Sequence, residues 1–204
     1  MKIYCIKTGL LGTNSYFLVD EKTSSAVLID CAEYYNKIQG VAESNNFKIK
    51  AVLLTHAHFD HSGCAKKLQD DGAKIYVSKI DAVKVRNGDT LSDRFCKPFD
   101  TFVPDYEFGD GEILNFGEIK VKTMLTPGHT DGSAVFIVGN KIFSGDTLLC
   151  RSYGRTDFPT GDEKALKQSI NKLFSLDGDY EVYPGHEDFT TLGEERKFNP
   201  IKYL

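Results

Sequence analysis

Three imidazoles and a carboxylate fall within one short stretch, Thr55-His56-Ala57-His58-Phe59-Asp60-His61. The chain has five histidines, and the other two, His129 and His186, each follow a Pro-Gly pair, Pro127-Gly128 and Pro184-Gly185. Imidazole and carboxylate together are ligands of divalent ions such as zinc, iron and manganese, so metal binding is the chemistry these residues point to. Rings two residues apart in a loop at a strand end can face one ion, while Asp60 and His61 point elsewhere and can serve a second. A single catalytic zinc needs only about three protein ligands and an open position. Five histidines with Asp60 and Asp146 exceed that, which argues for two ions. Two ions about 3.5–4 Å apart are typically spanned by a carboxylate and a water-derived hydroxide. Asp146, alone at a strand end in Ser144-Gly145-Asp146-Thr147, suits the bridge. Asp30, also at a strand end, reads as a structural hydrogen-bonding residue rather than a ligand.

The elements that must position these side chains are legible in outline. Lys2–Lys7 and Asn14–Asp20 read as strands around a Gly9–Gly12 turn, and Ala26–Ile29 as a third strand ending at Asp30. Ile38, Val41 and Ala42 recur at helical spacing up to Asn45-Asn46. Ala51–Leu54 is an apolar strand leading into the histidines, followed by a helix over Cys64–Gln69 and a strand at Lys74–Val77. Residues 80–110 carry a short helix ending near Asn87-Gly88 and then an irregular segment between Pro98 and Pro104. Residues 80–110 read as a surface connection first, with a loop over a site as the alternative. Short strands follow over Phe108–Lys122, and Val121–Leu125 runs into His129. Ala134–Val138 and Lys141–Phe143 form a hairpin around Gly139-Asn140. A helix starts at Asp162 with apolar residues Leu166, Ile170, Leu173 and Phe174. Glu181–Tyr183 is a last short strand before His186, and a terminal helix covers Leu192–Phe198. Both halves share a rhythm of strands, helix and metal-type residues, and the whole, residues 1–204, reads as one domain.

Composition removes several classes of function. With 204 residues, 41% hydrophobic, the chain can bury a full core. A net charge of −4, with basic residues scattered among acids, recommends neither a nucleic-acid nor a membrane partner. No apolar run approaches the ~20 residues of a membrane span. The N-terminus shows no signal peptide, and the five cysteines are odd in number without a CxxC pair, which together suggest a reduced, cytoplasmic chain. Cys64 reads as a small buried helix residue.

The His56-x-His58-x-Asp60-His61 pattern, with His129, Asp146 and His186 downstream, resembles the metallo-β-lactamase-fold hydrolases over nearly the whole chain. The resemblance implies an α+β fold, a four-layer αββα sandwich of two mixed sheets with helices on the outer faces and the metals at one edge. It implies His56, His58 and His129 on one ion, Asp60, His61 and His186 on the other, and Asp146 between them. An Asp-Pro-Gly common in the fold is Asp30-Cys31-Ala32 here. Within this group, Gly145–Leu148, Gly154–Phe158 and Thr190–Glu195 with Asn199-Pro200 are similar to a short bacterial glyoxalase II-like branch that lacks the C-terminal substrate-binding region of hydroxyacylglutathione hydrolase.

The expected activity is therefore metal-dependent hydrolysis of a small-molecule thioester of the S-D-lactoylglutathione kind, by a bridging hydroxide on two divalent ions. Zinc is the first expectation, with iron and manganese open. Asp60 and Asp146 are the expected catalytic carboxylates, and Arg155 and Tyr153 the expected substrate contacts. The alternatives on the same fold are a mononuclear-iron persulfide dioxygenase, a hydrolase of other esters or lactones, and a non-catalytic metal or redox sensor.

Overall fold

The computed structural model describes residues 1–203. The first half runs β1 (Lys2–Thr8), β2 (Thr13–Asp20), β3 (Ser25–Ile29), α1 (Tyr35–Ser44), β4 (Lys48–Leu53), α2 (Phe59–Ser62), α3 (Ala65–Asp70), β5 (Lys74–Ser78), α4 (Asp81–Asn87) and β6 (Tyr106–Phe108). The second runs β7 (Ile113–Phe116), β8 (Ile119–Leu125), β9 (Ala134–Val138), β10 (Lys141–Gly145), β11 (Leu148–Leu149), β12 (Ser152–Tyr153), α5 (Glu163–Phe174), β13 (Glu181–Pro184), β14 (Thr190–Thr191) and α6 (Leu192–Phe198). Strands β1 to β6 form one six-stranded sheet in sequence order. The second six-stranded sheet has the order β14-β13-β10-β9-β8-β7. Both sheets are mixed: β3 to β6 are parallel after an antiparallel start, and β10–β13 is the parallel pair of the other.

The layer order follows from which side chains cluster. Successive strand residues face opposite sides of a sheet. On β2, accordingly, Phe17 and Val19 join a core with Ile38 of α1, Leu68 of α3 and Val85 of α4, while Tyr16 and Leu18 join a second core with Val121, Phe136 and Phe143 of the other sheet. The far face of that second sheet, through Val135, Ile142 and Val182, packs on Leu166, Ile170 and Leu173 of α5 and Leu192 of α6. Helices, sheet, sheet, helices is the αββα order, and it explains why β2 is buried along its whole length. The buried stripe of α5 lies at i, i+4 and i+7, and the Asp162 carboxylate caps its N-terminus by accepting from the Ala165 amide at 2.8 Å.

Turn chemistry marks several element boundaries. Gly72 and Gly88 end helices in the left-handed region, with φ of 95° and 84°. Three elements lacked such signals: the single turn α2, the short β11–β12 hairpin, and the segment between α4 and β6, which contains a 3₁₀ turn over Ser92–Phe95. No helix among the described residues is long and apolar enough to cross a membrane.

Candidate metal centre

Every histidine of the chain sits just past a strand, at one edge where the two sheets meet. His56 and His58 follow β4, and Asp60 and His61 ride on α2 immediately afterwards. From the second sheet, His129 follows β8, Asp146 follows β10 and His186 follows β13. Backbone contacts clamp these loops together. The Asn14 amide donates to the Gly185 carbonyl at 2.7 Å, and the Tyr16 hydroxyl donates to the Pro184 carbonyl at 2.6 Å. The Gly185 amide donates to the Gly145 carbonyl at 2.8 Å, which ties the His186 and Asp146 loops together.

The donors form two groups. His58 Nδ1 lies 3.0 Å from His56 Nε2 and 2.9 Å from His129 Nε2. Beside them, His61 Nε2 is 3.3 Å from His186 Nε2, and Asp60 Oδ2 is 3.3 Å from His186 Nε2 and 3.5 Å from His61 Nε2. Asp146 touches both groups: Oδ1 is 3.4 Å from His61 Nε2, and Oδ2 is 3.6 Å from His129 Nε2 and from His186 Nε2. Ring nitrogens this close are spaced like ligands that share one ion at about 2.0–2.1 Å.

Which nitrogen carries the proton follows from the partners on the far side of each ring. The Arg155 carbonyl can only accept, so His129 Nδ1, 2.7 Å away, is the donor and Nε2 is bare. Asp30 Oδ2 accepts from His61 Nδ1 at 2.8 Å, which leaves His61 Nε2 facing the site. Asp30 also accepts the Thr55 amide and hydroxyl, both at 2.8 Å. With its proton so used, the Thr55 hydroxyl accepts from His56 Nδ1 at 3.1 Å. Three bare nitrogens thus converge on a region where Asp146 Oδ1 is buried without a hydrogen-bond donor. A cation satisfies all of them at once, so the donor set fits metal ions.

The electrostatics agree. Burial, reinforced by neighbouring imidazoles, pushes His56 well below its ordinary value and His58 down to about 3, keeping both neutral as ligands must be. Burial opposes charge on Asp60 and Asp146, but His61 and His186 together, joined by His129 at Asp146, outweigh it and hold both ionised, Asp146 far below the usual carboxylate range. His61 is drawn upward against its burial by Asp146, Asp30 and Asp60. The half of the site around these carboxylates calls for positive charge.

Glycine is required where the loops meet. A Cβ at Gly185 would stand 2.4 Å from Asp146 Oδ1 and 2.7 Å from His61 Cε1. Gly145, at φ 50°, would meet Thr55 Oγ1 at 2.5 Å. Gly185→Ala is therefore expected to displace Asp146 and His61 together, and metal content by elemental analysis should fall below half of wild type. Overpacking of this kind costs about 1–3 kcal/mol, so the variant still folds. Full metal content in Gly185→Ala would show that the approach is slack.

The donors open onto a cleft of about 310 Å³, walled by Leu11, Phe59, Leu91, Phe95, Leu149 and Phe158. Leu91 and Phe95 belong to residues 80–110, where the alternative of a loop over the site fits better than a surface connection: the segment supplies one wall of the cleft. Arg155 lines the cleft too, but Asp157 grips its guanidinium through two hydrogen bonds of 2.6 Å. Tyr153, the other expected substrate contact, pairs with Leu148 and packs on the core beneath α5; it does not line the cleft. One buried carboxylate escaped the sequence reading. Asp81, fully buried at the start of α4, accepts from the Ala57 amide at 2.8 Å and the Thr130 hydroxyl at 3.1 Å. It ties the His56–His58 loop to the residue after His129.

The pattern of donors at the edge of an αββα sandwich is matched over residues 8–186 by the model of the metallo-beta-lactamase superfamily. The chain belongs to this superfamily. It is 35% identical to a hydroxyacylglutathione hydrolase of Haemophilus influenzae, over 98% of each chain. It is also 30% identical to a mitochondrial persulfide dioxygenase of Mus musculus, covering 92% of this chain and 70% of the relative. Among solved structures, a B3 metallo-beta-lactamase superposes with a TM-score of 0.90 at 31% identity, covering 98% of both chains. A protein solved in a di-iron-bound form superposes with a TM-score of 0.88 at 31% identity, covering 98% of this chain and all of that one.

Proposed function

We propose that this superfamily member hydrolyses thioesters of small thiols, as a hydroxyacylglutathione hydrolase does, with two divalent ions at the paired donor groups. One observation carries the reading: Asp146 reaches both groups, with Oδ1 toward His61 and Oδ2 equally close to His129 and His186. His56, His58 and His129 would hold one ion, Asp60, His61 and His186 the other, and Asp146 would span them. When bound, such a pair supplies Lewis acidity and lowers the pKa of water toward neutrality. The donor set accepts zinc, iron or manganese, and the neighbour solved in a di-iron form supports iron.

The chain's own residues supply position and environment. Asp60, fixed by the Thr13 hydroxyl at 3.3 Å and held ionised, orients rather than donates. The apolar walls strip water from an acyl group and strengthen each charge interaction inside. All five cysteines are free, which suits a reducing cytoplasm.

The persulfide dioxygenase relative makes a one-iron oxygenase the second reading. Metal content, turnover of S-D-lactoylglutathione beside a panel of other esters and lactones, and oxygen uptake with a glutathione persulfide separate the two. The expected result is two metals per chain and thioester cleavage without oxygen consumption. One iron per chain with oxygen uptake overturns the hydrolase reading.

A further inference from the structure

The five imidazoles are not held alike. His56, His61 and His129 each have a ring nitrogen bonded on the side away from the site, to the Thr55 hydroxyl, the Asp30 carboxylate and the Arg155 carbonyl. His58 is buried, with its ring against Phe158, centres 6.0 Å apart. His186 has neither kind of support. Its side chain is 19% exposed, its Nε2 faces the site, and no hydrogen bond reaches its Nδ1 among the described residues. Outer partners ordinarily fix a ligand's tautomer and ring direction. For His186 the aim has to come through the backbone.

That backbone is held by one residue of the other sheet. Asn14, on β2 and fully buried, donates its backbone N–H to the Gly185 carbonyl at 2.7 Å. Its side-chain nitrogen donates to the carbonyls of Pro184 at 3.0 Å and Glu187 at 3.2 Å. One side chain thus grips the loop before and after His186. It does so where Glu187 takes φ 64°, a left-handed conformation uncommon outside glycine. Only an NH2 group can face two carbonyl oxygens, so the amide has one permitted orientation. The cost is visible in Asn14 Oδ1, buried with no hydrogen-bond partner among the described residues. Thr13, next to it, donates to Asp60 Oδ2 at 3.3 Å, so two adjacent residues of β2 address the same donor group.

We propose that Asn14 is the positioning residue for His186: its side chain, acting through Pro184 and Glu187, sets where the ring stands and how tightly the Asp60, His61 and His186 group holds metal. The inference rests on the paired-ion reading only for which ion is weakened; the hold on His186 does not depend on it. The His56, His58 and His129 group has its own supports and is left unchanged.

Asn14→Leu tests the side chain alone. It keeps the residue's bulk and the backbone bond to Gly185, and it removes both side-chain donors together with the unpartnered oxygen. The Pro184 carbonyl still accepts from the Tyr16 hydroxyl, and Glu187 is exposed, so the fold is kept. Asn14→Ser, whose short hydroxyl cannot span both carbonyls, repeats the test with a polar residue. In metal-free protein, NMR of ring-labelled histidine should show the His186 signal shifted or broadened in both variants, with His56 and His129 in place. Zinc titration followed on the same signals should load the His56, His58 and His129 group as in wild type, and the Asp60, His61 and His186 group about 10–100-fold more weakly. An unchanged His186 signal with wild-type zinc affinity overturns the proposal. So does an equal weakening of both groups, which a general loss of structure would produce. A displaced His186 in a chain whose wild type takes up one ion keeps the role of Asn14 and overturns the paired-ion reading.

Discussion

Asp146→Ala is expected to leave a folded protein that retains about one tightly held ion per chain and has lost hydrolysis beyond detection. The carboxylate is the one side chain whose oxygens address both donor groups, and its Oδ1 has no other hydrogen-bond partner. Its removal should leave His56, His58 and His129 intact, because their spacing is set by contacts to Thr55 and Arg155 on the far side of the rings. It should weaken the group formed by Asp60, His61 and His186. Changing residues behind a metal ligand typically costs about 10–100-fold in affinity or activity, and removing a spanning ligand should exceed that. Titration with zinc monitored by elemental analysis, beside thioester turnover, reads both effects. Two retained ions with near-normal turnover would remove Asp146 from the mechanism.

Asp30→Ala should damage stability rather than chemistry alone. Asp30 is fully buried and accepts from the Thr55 amide, the Thr55 hydroxyl and His61 Nδ1. Each buried donor left unmade costs about 1–3 kcal/mol. With three donors at stake, the midpoint of thermal unfolding should fall on the order of 10 °C. The backbone adds to the loss, since Asp30 sits at φ 56°, where Ala is less at ease than Asp or Asn. Asp30→Asn keeps the backbone tolerance and one acceptor, and should fall between the two in thermal unfolding while still binding less metal. An Ala variant as stable as wild type would reduce Asp30 to a bystander.

The contrast between these two residues shows what the sequence could disclose. Asp146 was legible because a carboxylate at a strand end keeps company with five histidines, and residue type announces the chemistry. Asp30 was legible only as a structural acceptor; which groups it accepts from depends on β3 and β4 lying side by side, a tertiary fact. Asp81 was not legible at all. An aspartate opening a short apolar helix looks like any other helix start, and its real partners, Ala57 and Thr130, lie far off in sequence. Leu91 and Phe95 were missed for a different reason. The chain turns there through left-handed backbone at Leu91 and Cys96, φ 66° and 50°, without the glycine or asparagine that usually marks such a turn. Tyr153 shows the converse: expected as a substrate contact, it is placed by strand pairing with Leu148, half-buried against the core beneath α5.

The strand order has a final consequence. One donor group combines His56 and His58 from the first sheet with His129 from the second; the other combines Asp60 and His61 with His186 and Asp146. Neither half of the chain owns a complete set, so an ion can be captured only after the two halves have closed on each other. An ion held there would be a clasp across the seam between them. Metal binding would then stabilise the closed seam, and metal removal is expected to loosen the join before either sheet.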